Sequence, residues 1–211
     1  MITEDRKPSA EHETFYLDKW FLDFVGENGE AMIFYAAKLY WRGWKVSYTS
    51  WLSYDHNAGV SQKSGFRNIN MPENKDGVIN WSDSKYGVAG CWKLLASPIN
   101  ARLFDSEEGF LDWNCHQPYS KVILKFNERI IEGTGYAEQL ILTIPPWKLP
   151  INELRWGRFG SGENQVVWIE WRKEEKQQWL WLNGEKKENC IIEDDIIFID
   201  GKDFVLKLDR G

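Results

Sequence analysis

From residue 15 onward the apolar residues of this chain recur with a period of two rather than 3.6, which restricts it to strands. In Phe15 to Val25 one alternating set is Phe15, Leu17, Lys19, Phe21, Asp23 and Val25, and the other is Tyr16, Asp18, Trp20, Leu22 and Phe24. Both faces are substantially apolar. The turn at Gly26 to Glu30, the run Ala31 to Trp41, the turn Arg42-Gly43 and the run Trp44 to Ser53 read as a meander of long strands. Residues 55 to 77 are rich in Gly, Asn, Asp and Ser and read as a mobile loop with one short strand at Phe66 to Asn70. Strand signals resume at Val78 to Trp81, Val88 to Leu95, Ala101 to Asp105, Phe110 to Cys115 and Val122 to Asn127. Gly133-Thr134-Gly135 interrupts the next strand, as a bulge or a close backbone approach requires. Pro145-Pro146 and Pro150 force an extended crossing, and Ile151 to Leu154 is the one place for a helical turn. Strands follow at Leu154 to Phe159, Gln165 to Arg172, Gln178 to Leu182, Ile191 to Asp200 and Phe204 to Leu208, with Asp200-Gly201 as a hairpin signal. The pattern predicts an all-β chain with little helix, either an antiparallel barrel or a closely packed double sheet. Residues 1–12 are expected to be a loose segment and 13–211 a single β domain.

Charge narrows the function. With 26 Lys and Arg against 32 Asp and Glu the net charge is −6, and no basic block is present, which argues against nucleic acid as a partner. The longest wholly apolar run, Ala31 to Ala37, is far too short to span a membrane. The charged N-terminus lacks the pattern of a secretory signal, so a cytoplasmic location is expected. Three cysteines (Cys91, Cys115, Cys190) without CxxC spacing suit reduced thiols.

The chain holds 13 Trp, 8 Tyr and 11 Phe, so something flat is packed: core, ligand or partner. No nucleophile elbow, zinc-protease or nucleotide-loop motif occurs, and the isolated His12, His56 and His116 read as polar loop residues, so no metal and no cofactor is expected. Four carboxylates lie within aromatic stretches: Asp23, Asp112, Glu138 and Glu170. Burial among aromatics raises a carboxyl's pKa and suits it to donate a proton. The ordinary reading of each is the solvent face of a strand, with Glu138 as the exception. Trp168, Glu170 and Arg172 share one strand face, so Glu170 and Arg172 are expected to pair as a surface ladder rather than supply a proton. Trp179 and Trp181 also share a face, as core or as the wall of a cavity.

From Gly133 to Phe159, the run GTGYAEQL followed by PPW, LP and LRWGRF resembles the lipocalin-like family of carotenoid 1,2-hydratases, AttH proteins and, more distantly, tocopherol cyclase. That family carries a G-x-G-Y-x-Asp-His-Asn segment and a later Trp-Gly-Arg element. The matching positions are Gly133, Gly135, Tyr136 and Glu138, then Trp156, Gly157 and Arg158. Weaker likeness runs from Tyr16–Phe24 through Gly109–Trp113 to Trp168–Trp171. The resemblance implies a calycin-like antiparallel β fold around an apolar cavity, and for some members hydration or cyclisation of isoprenoids or polyenes without redox chemistry. On that footing Glu138 is the candidate proton donor and Tyr136 orients it. Trp20, Asp23, Trp113, Trp156, Arg158, Trp168 and Trp181 are candidates for the ligand wall. Arg155 or Arg158 holds a polar end, or else both form strand-end salt bridges. The family's Asp-His-Asn is Glu138-Gln139-Leu140 here, so an acid is kept while the His and Asn are not. The better-known members are long enough for two lipocalin-like halves, so a cavity between halves would be missing here or completed by a homodimer. The expected partner is a small apolar molecule. The rival readings are a carbohydrate-binding β domain with Trp platforms and a non-catalytic structural protein.

Overall fold

A computed structural model describes residues 14–57, 59–126, 128–173, 176–194 and 196–199, together with the backbone of 204–207. The segment expected to be loose, 1–12, lies outside the described residues. Two compact units emerge, Met1–Leu149 and Pro150–Gly211, and each is described by itself.

The first unit is one antiparallel sheet. Its strands are β1 (Phe15–Gly26), β2 (Ala31–Trp41), β3 (Trp44–Asp55), β4 (Gly59–Phe66), β5 (Glu73–Lys75), β6 (Val78–Asp83), β7 (Val88–Leu94), β8 (Ile99–Ser106), β9 (Gly109–Phe126) and β10 (Arg129–Leu142). The order is β4-β3-β2-β1-β10-β9-β7-β6-β5, with β8 added beside β9, and the hydrogen-bonded path does not close. The meander β1-β2-β3 follows from its turns: Arg42 and Gly43 take φ 48° and 81°, the left-handed pair that a two-residue hairpin needs.

Alternation buries one face of this sheet in a common core of Trp20, Leu22, Phe24, Phe34, Trp51 and Trp92 with their neighbours. The sheet curls enough for β2 to touch β6 and β7, since the Phe34 ring lies 5.4 Å from Trp81 and 6.2 Å from Trp92. A polar clasp replaces the missing ladder at the seam. Arg67, just beyond β4, ion-pairs with Asp83 of β6, and the Thr49 hydroxyl of β3 donates to the same carboxylate at 3.2 Å.

Several local expectations are corrected. The polar stretch 55–77 forms β4 and β5, while no strand runs from Phe66 to Asn70. β4 is an edge strand exposed almost throughout, so backbone pairing with β3 holds it and no apolar alternation announces it. Phe110–Cys115 and Val122–Phe126 belong to a single strand, β9, which carries Pro118 where its register with β10 shifts twice, a place where proline is tolerated, while Asn127 lies outside the described residues. The helical turn falls at Pro146–Lys148, rather than at 151–154.

The second unit holds a four-stranded sheet, β11 (Glu153–Gly160), β12 (Gln165–Arg172), β13 (Gln177–Leu182) and β14 (Glu185–Lys186), and a three-stranded sheet, β15 (Cys190–Ile192), β16 (Ile196–Ile199) and β17 (Phe204–Lys207). β16 and β17 pair antiparallel as the Asp200-Gly201 signal requires, although the turn itself lies outside the described residues. Val166, Trp168 and Leu180 pack against Ile192, Ile197 and Ile199. Among the described residues all elements are antiparallel strands apart from one 3-10 turn, in agreement with the all-β expectation.

Candidate active site

The G-x-G segment has a steric origin. A Cβ at Gly133 would run into the Val25 carbonyl oxygen and lie 2.9 Å from the Gly26 Cα, and one at Gly135 would meet the Asp23 carbonyl. β10 therefore lies closer to β1 here than a side chain permits, and Tyr136 and Glu138 follow directly on that approach.

Pairing places Phe21 opposite Glu138 and Asp23 opposite Tyr136 on β1, Cys115 opposite Glu138 on β9, and Tyr35 opposite Phe21 on β2. These side chains share the face opposite the aromatic core. Glu138 is only 8% exposed, and its Oε2 accepts two hydrogen bonds, from the Tyr136 hydroxyl at 2.6 Å and from the Trp113 Nε1 at 2.5 Å. Its other oxygen, Oε1, accepts none among the described residues. The Phe21 ring stands edge-on to both Tyr35 and Tyr136, and the Lys19 Nζ lies 4.9 Å above the Tyr35 ring.

Burial pushes the Glu138 carboxyl above its ordinary range. The bonds from Tyr136 and Trp113 and the charge of Lys19 pull it down, Asp23 pushes it up, and the balance remains upward. Tyr136 is fully buried and lifted well above its usual value by desolvation, then by Cys115 and Glu138, so it stays a neutral donor. Such a carboxyl can hold a proton, and its anion is met by two donors once the proton leaves.

The candidate wall residues separate by face. Asp23 and Trp113 join Glu138. Trp20 is on the opposite side of β1, stacked on His116 with ring centroids 4.8 Å apart, and His116 meets Gln139, which holds Asp18 at 2.9 Å. Burial lowers the His116 pKa, so it is a neutral packing group. In the second unit, register places Trp156, Arg158 and Trp181 on one face, while Trp168 is on the other, its indole filling the space that a Cβ on Gly157 would need. A cavity of about 680 Å³ in the first unit lies elsewhere, against Ile69, Met71 and Trp81, and Glu138 does not line it.

Two carboxylates read as solvent-facing are buried: Asp23 at 8% exposure and Glu170 at 0%. Glu170 does pair with Arg172, but inside the unit rather than on a surface ladder. Gln178 donates to it at 2.6 Å and Arg155 approaches to 3.6 Å, while Asp194 binds both arginines at 2.8 and 2.6 Å. Burial pushes the Glu170 carboxyl up, yet the Arg172 and Gln178 bonds outweigh it and hold it below its ordinary value. It is a structural carboxylate, and Arg155 is committed to it. Asp112 stays partly exposed and ion-pairs with Arg102 at 2.7 Å. Cys115, Phe21 and Tyr35 were not singled out from the sequence, although the alternation of β1 that carries Asp23 also carries Phe21. Among the described residues no cluster of three or more His, Cys, Asp or Glu could hold a metal ion, and no helix is long and apolar enough to cross a membrane.

No family model and no curated protein matches this sequence. Solved structures do. A protein assigned as an AttH from Nitrosomonas europaea aligns with TM-score 0.56 and 9% identity, covering 94% of this chain and 72% of that one. Kievitone hydratase from Nectria haematococca aligns with TM-score 0.53 and 11% identity, covering 90% of this chain and 74% of that one. This chain shares their lipocalin-like fold. The resemblance carried by Gly133, Gly135, Tyr136 and the Trp156-Gly157-Arg158 element therefore holds at the level of the fold.

Proposed function

We propose that this protein binds a small apolar molecule of isoprenoid or polyene type and acts on it by acid-assisted hydration or cyclisation, with Glu138 as the proton donor. The observation that carries the reading is the Glu138 carboxyl itself, buried so that its pKa is raised, and bonded through one oxygen to Tyr136 and Trp113. In the proposed step the proton on Oε1 passes to an alkene carbon, and the alkene π pair forms the new C–H bond. The cation left behind is stabilised by the faces of neighbouring aromatic rings such as Phe21 and Tyr35. In hydration, water adds to that cation and returns its surplus proton to the Glu138 carboxylate, so one group serves as acid and then as base. This suits a site where the family's His and Asn are replaced by Gln139 and Leu140, since Gln139 faces the other way. Tyr136 and Trp113 hold the carboxylate between the two transfers. A solved neighbour named as a hydratase supports the reaction class.

The test titrates the protein with polyenes, isoprenoids and soluble oligosaccharides and follows tryptophan fluorescence, then searches for products in D₂O. Saturable quenching by apolar ligands with one deuterium per product is expected. Glu138→Gln keeps binding and loses about 10²- to 10⁴-fold in rate. A response to sugars alone, or an active Glu138→Gln variant, overturns the proposal.

A further inference from the structure

The β2–β3 hairpin ends in Tyr40-Trp41-Arg42-Gly43-Trp44-Lys45, a tip of three aromatic and two basic side chains around Gly43. Register sets Trp41 opposite Trp44 and Tyr40 opposite Lys45. Trp44 is 75% exposed, with Tyr40 and Trp41 at 41% and 39%. Trp147, from the Pro146–Lys148 turn, packs edge-on against Trp41 with centroids 5.8 Å apart and is itself 68% exposed. Three indoles from two distant segments thus gather on one face of the tip, with Tyr40 and Lys45 on its other face.

Charge at the patch runs against the chain as a whole. Ala31 to Tyr54 contains no Asp or Glu and three cations, Lys38, Arg42 and Lys45, in a protein of net charge −6. Lys38 faces Asp18 across β1, and Lys148 is held by Glu108 at 2.6 Å, so the basic surplus rests on Arg42 and Lys45. Arg42 lies 5.5 Å from the Trp41 ring and Lys45 5.3 Å from that of Tyr40.

We propose that the β2–β3 tip with Trp147 is an anchor for the surface of an anionic lipid bilayer. Indole and phenol rings with one apolar and one polar end settle at headgroup depth, and Arg42 and Lys45 meet the negative charge there. A second copy of the chain fits the tip poorly, because an isologous contact would bring two sets of the same cations, Arg42 and Lys45, into one interface with no acidic residue from Ala31 to Tyr54 to offset them. Peripheral docking needs no spanning element, and it stands independently of the reading of Glu138, since vesicle binding requires neither ligand nor turnover.

The experiment is flotation of the full chain with phosphatidylcholine vesicles, with and without phosphatidylglycerol. Flotation with the anionic vesicles, weakened by salt, is expected. Trp44→Ser with Trp147→Ser removes most of it, and Arg42→Gln with Lys45→Gln lowers the affinity by about 25-fold, roughly fivefold per cation. These side chains are exposed, so all variants should melt with the parent, and Trp44→Phe should retain more binding than Trp44→Ser. Absence of flotation, or flotation that survives the tryptophan replacements, overturns the proposal. A dimer in sedimentation that Trp44→Ser abolishes also overturns it, by assigning the patch to a second copy.

Discussion

Replacing Gly135 by Ala should be among the most damaging one-carbon changes in the first unit. The added methyl would lie 2.7 Å from Val122 Cγ2 and 3.0 Å from Trp92 Nε1, with the Asp23 carbonyl oxygen nearer still. Comfortable carbon contacts need about 3.5–4.0 Å, so β1 and β10 must part by about 1 Å. Overpacking of that kind costs about 1–3 kcal/mol. The displaced Asp23 carbonyl also accepts the buried Trp92 Nε1 hydrogen at 2.8 Å, and stranding that donor adds about 1 kcal/mol. The total is about 3 kcal/mol, which at about 2–4 °C per kcal/mol lowers the melting temperature by about 6–12 °C. Gly65→Ala is the matched control: it lies in the same unit on β4, and its nearest neighbour would be Arg67 Nη1 at 3.5 Å. That change should stay within about 0.5 kcal/mol. Thermal and urea unfolding followed by circular dichroism compare the two. If both variants unfold together, the close approach of β1 and β10 does not explain the glycines.

Other expectations follow the same geometry. The Glu138 pKa is raised in the folded state, so that state holds its proton more tightly, and stability should fall as pH rises from the ordinary carboxylate value through the folded one. Denaturation midpoints across pH should show this decline in the parent and not in Glu138→Gln. Tyr136→Phe removes a bond that lowers that pKa, so the decline should extend to higher pH. Glu170 has the opposite sign: its depressed pKa contributes stability above the ordinary carboxylate value, and that contribution disappears as pH falls through the folded one. Glu170→Gln should therefore lower the melting temperature at neutral pH and change it little in acid. Gly157→Ala would drive a methyl into the Trp168 indole and should cost about 1–3 kcal/mol, with a shift in the Trp168 indole N–H resonance.

Local chemistry carried much of the architecture. Period-two alternation in Phe15–Val25 and the Arg42-Gly43 turn led to β1, β2 and β3, because a pleated strand must sort its side chains by face and a tight hairpin needs left-handed backbone. Nothing comparable marked β4, whose polar residues are recruited by β3's unpaired edge. Likewise, the Glu170–Arg172 pairing followed from their shared face, whereas its burial depended on Gln178 and Asp194 arriving from other segments.

The candidate site divides in the same way. Sequence alone marked Gly133-Thr134-Gly135 as a bulge or a close backbone approach just before Tyr136 and Glu138, since those relations span a few residues of one strand, and the structure decided for the close approach. Only tertiary structure decided that Trp113 donates to Glu138 while Trp20 turns away to His116. Both faces of β1 are apolar, so alternation could not say which faced the core. The register shifts of β9 around Pro118 set which of its side chains stand beside Glu138, and pairing between strands distant in sequence is settled only when the sheet assembles.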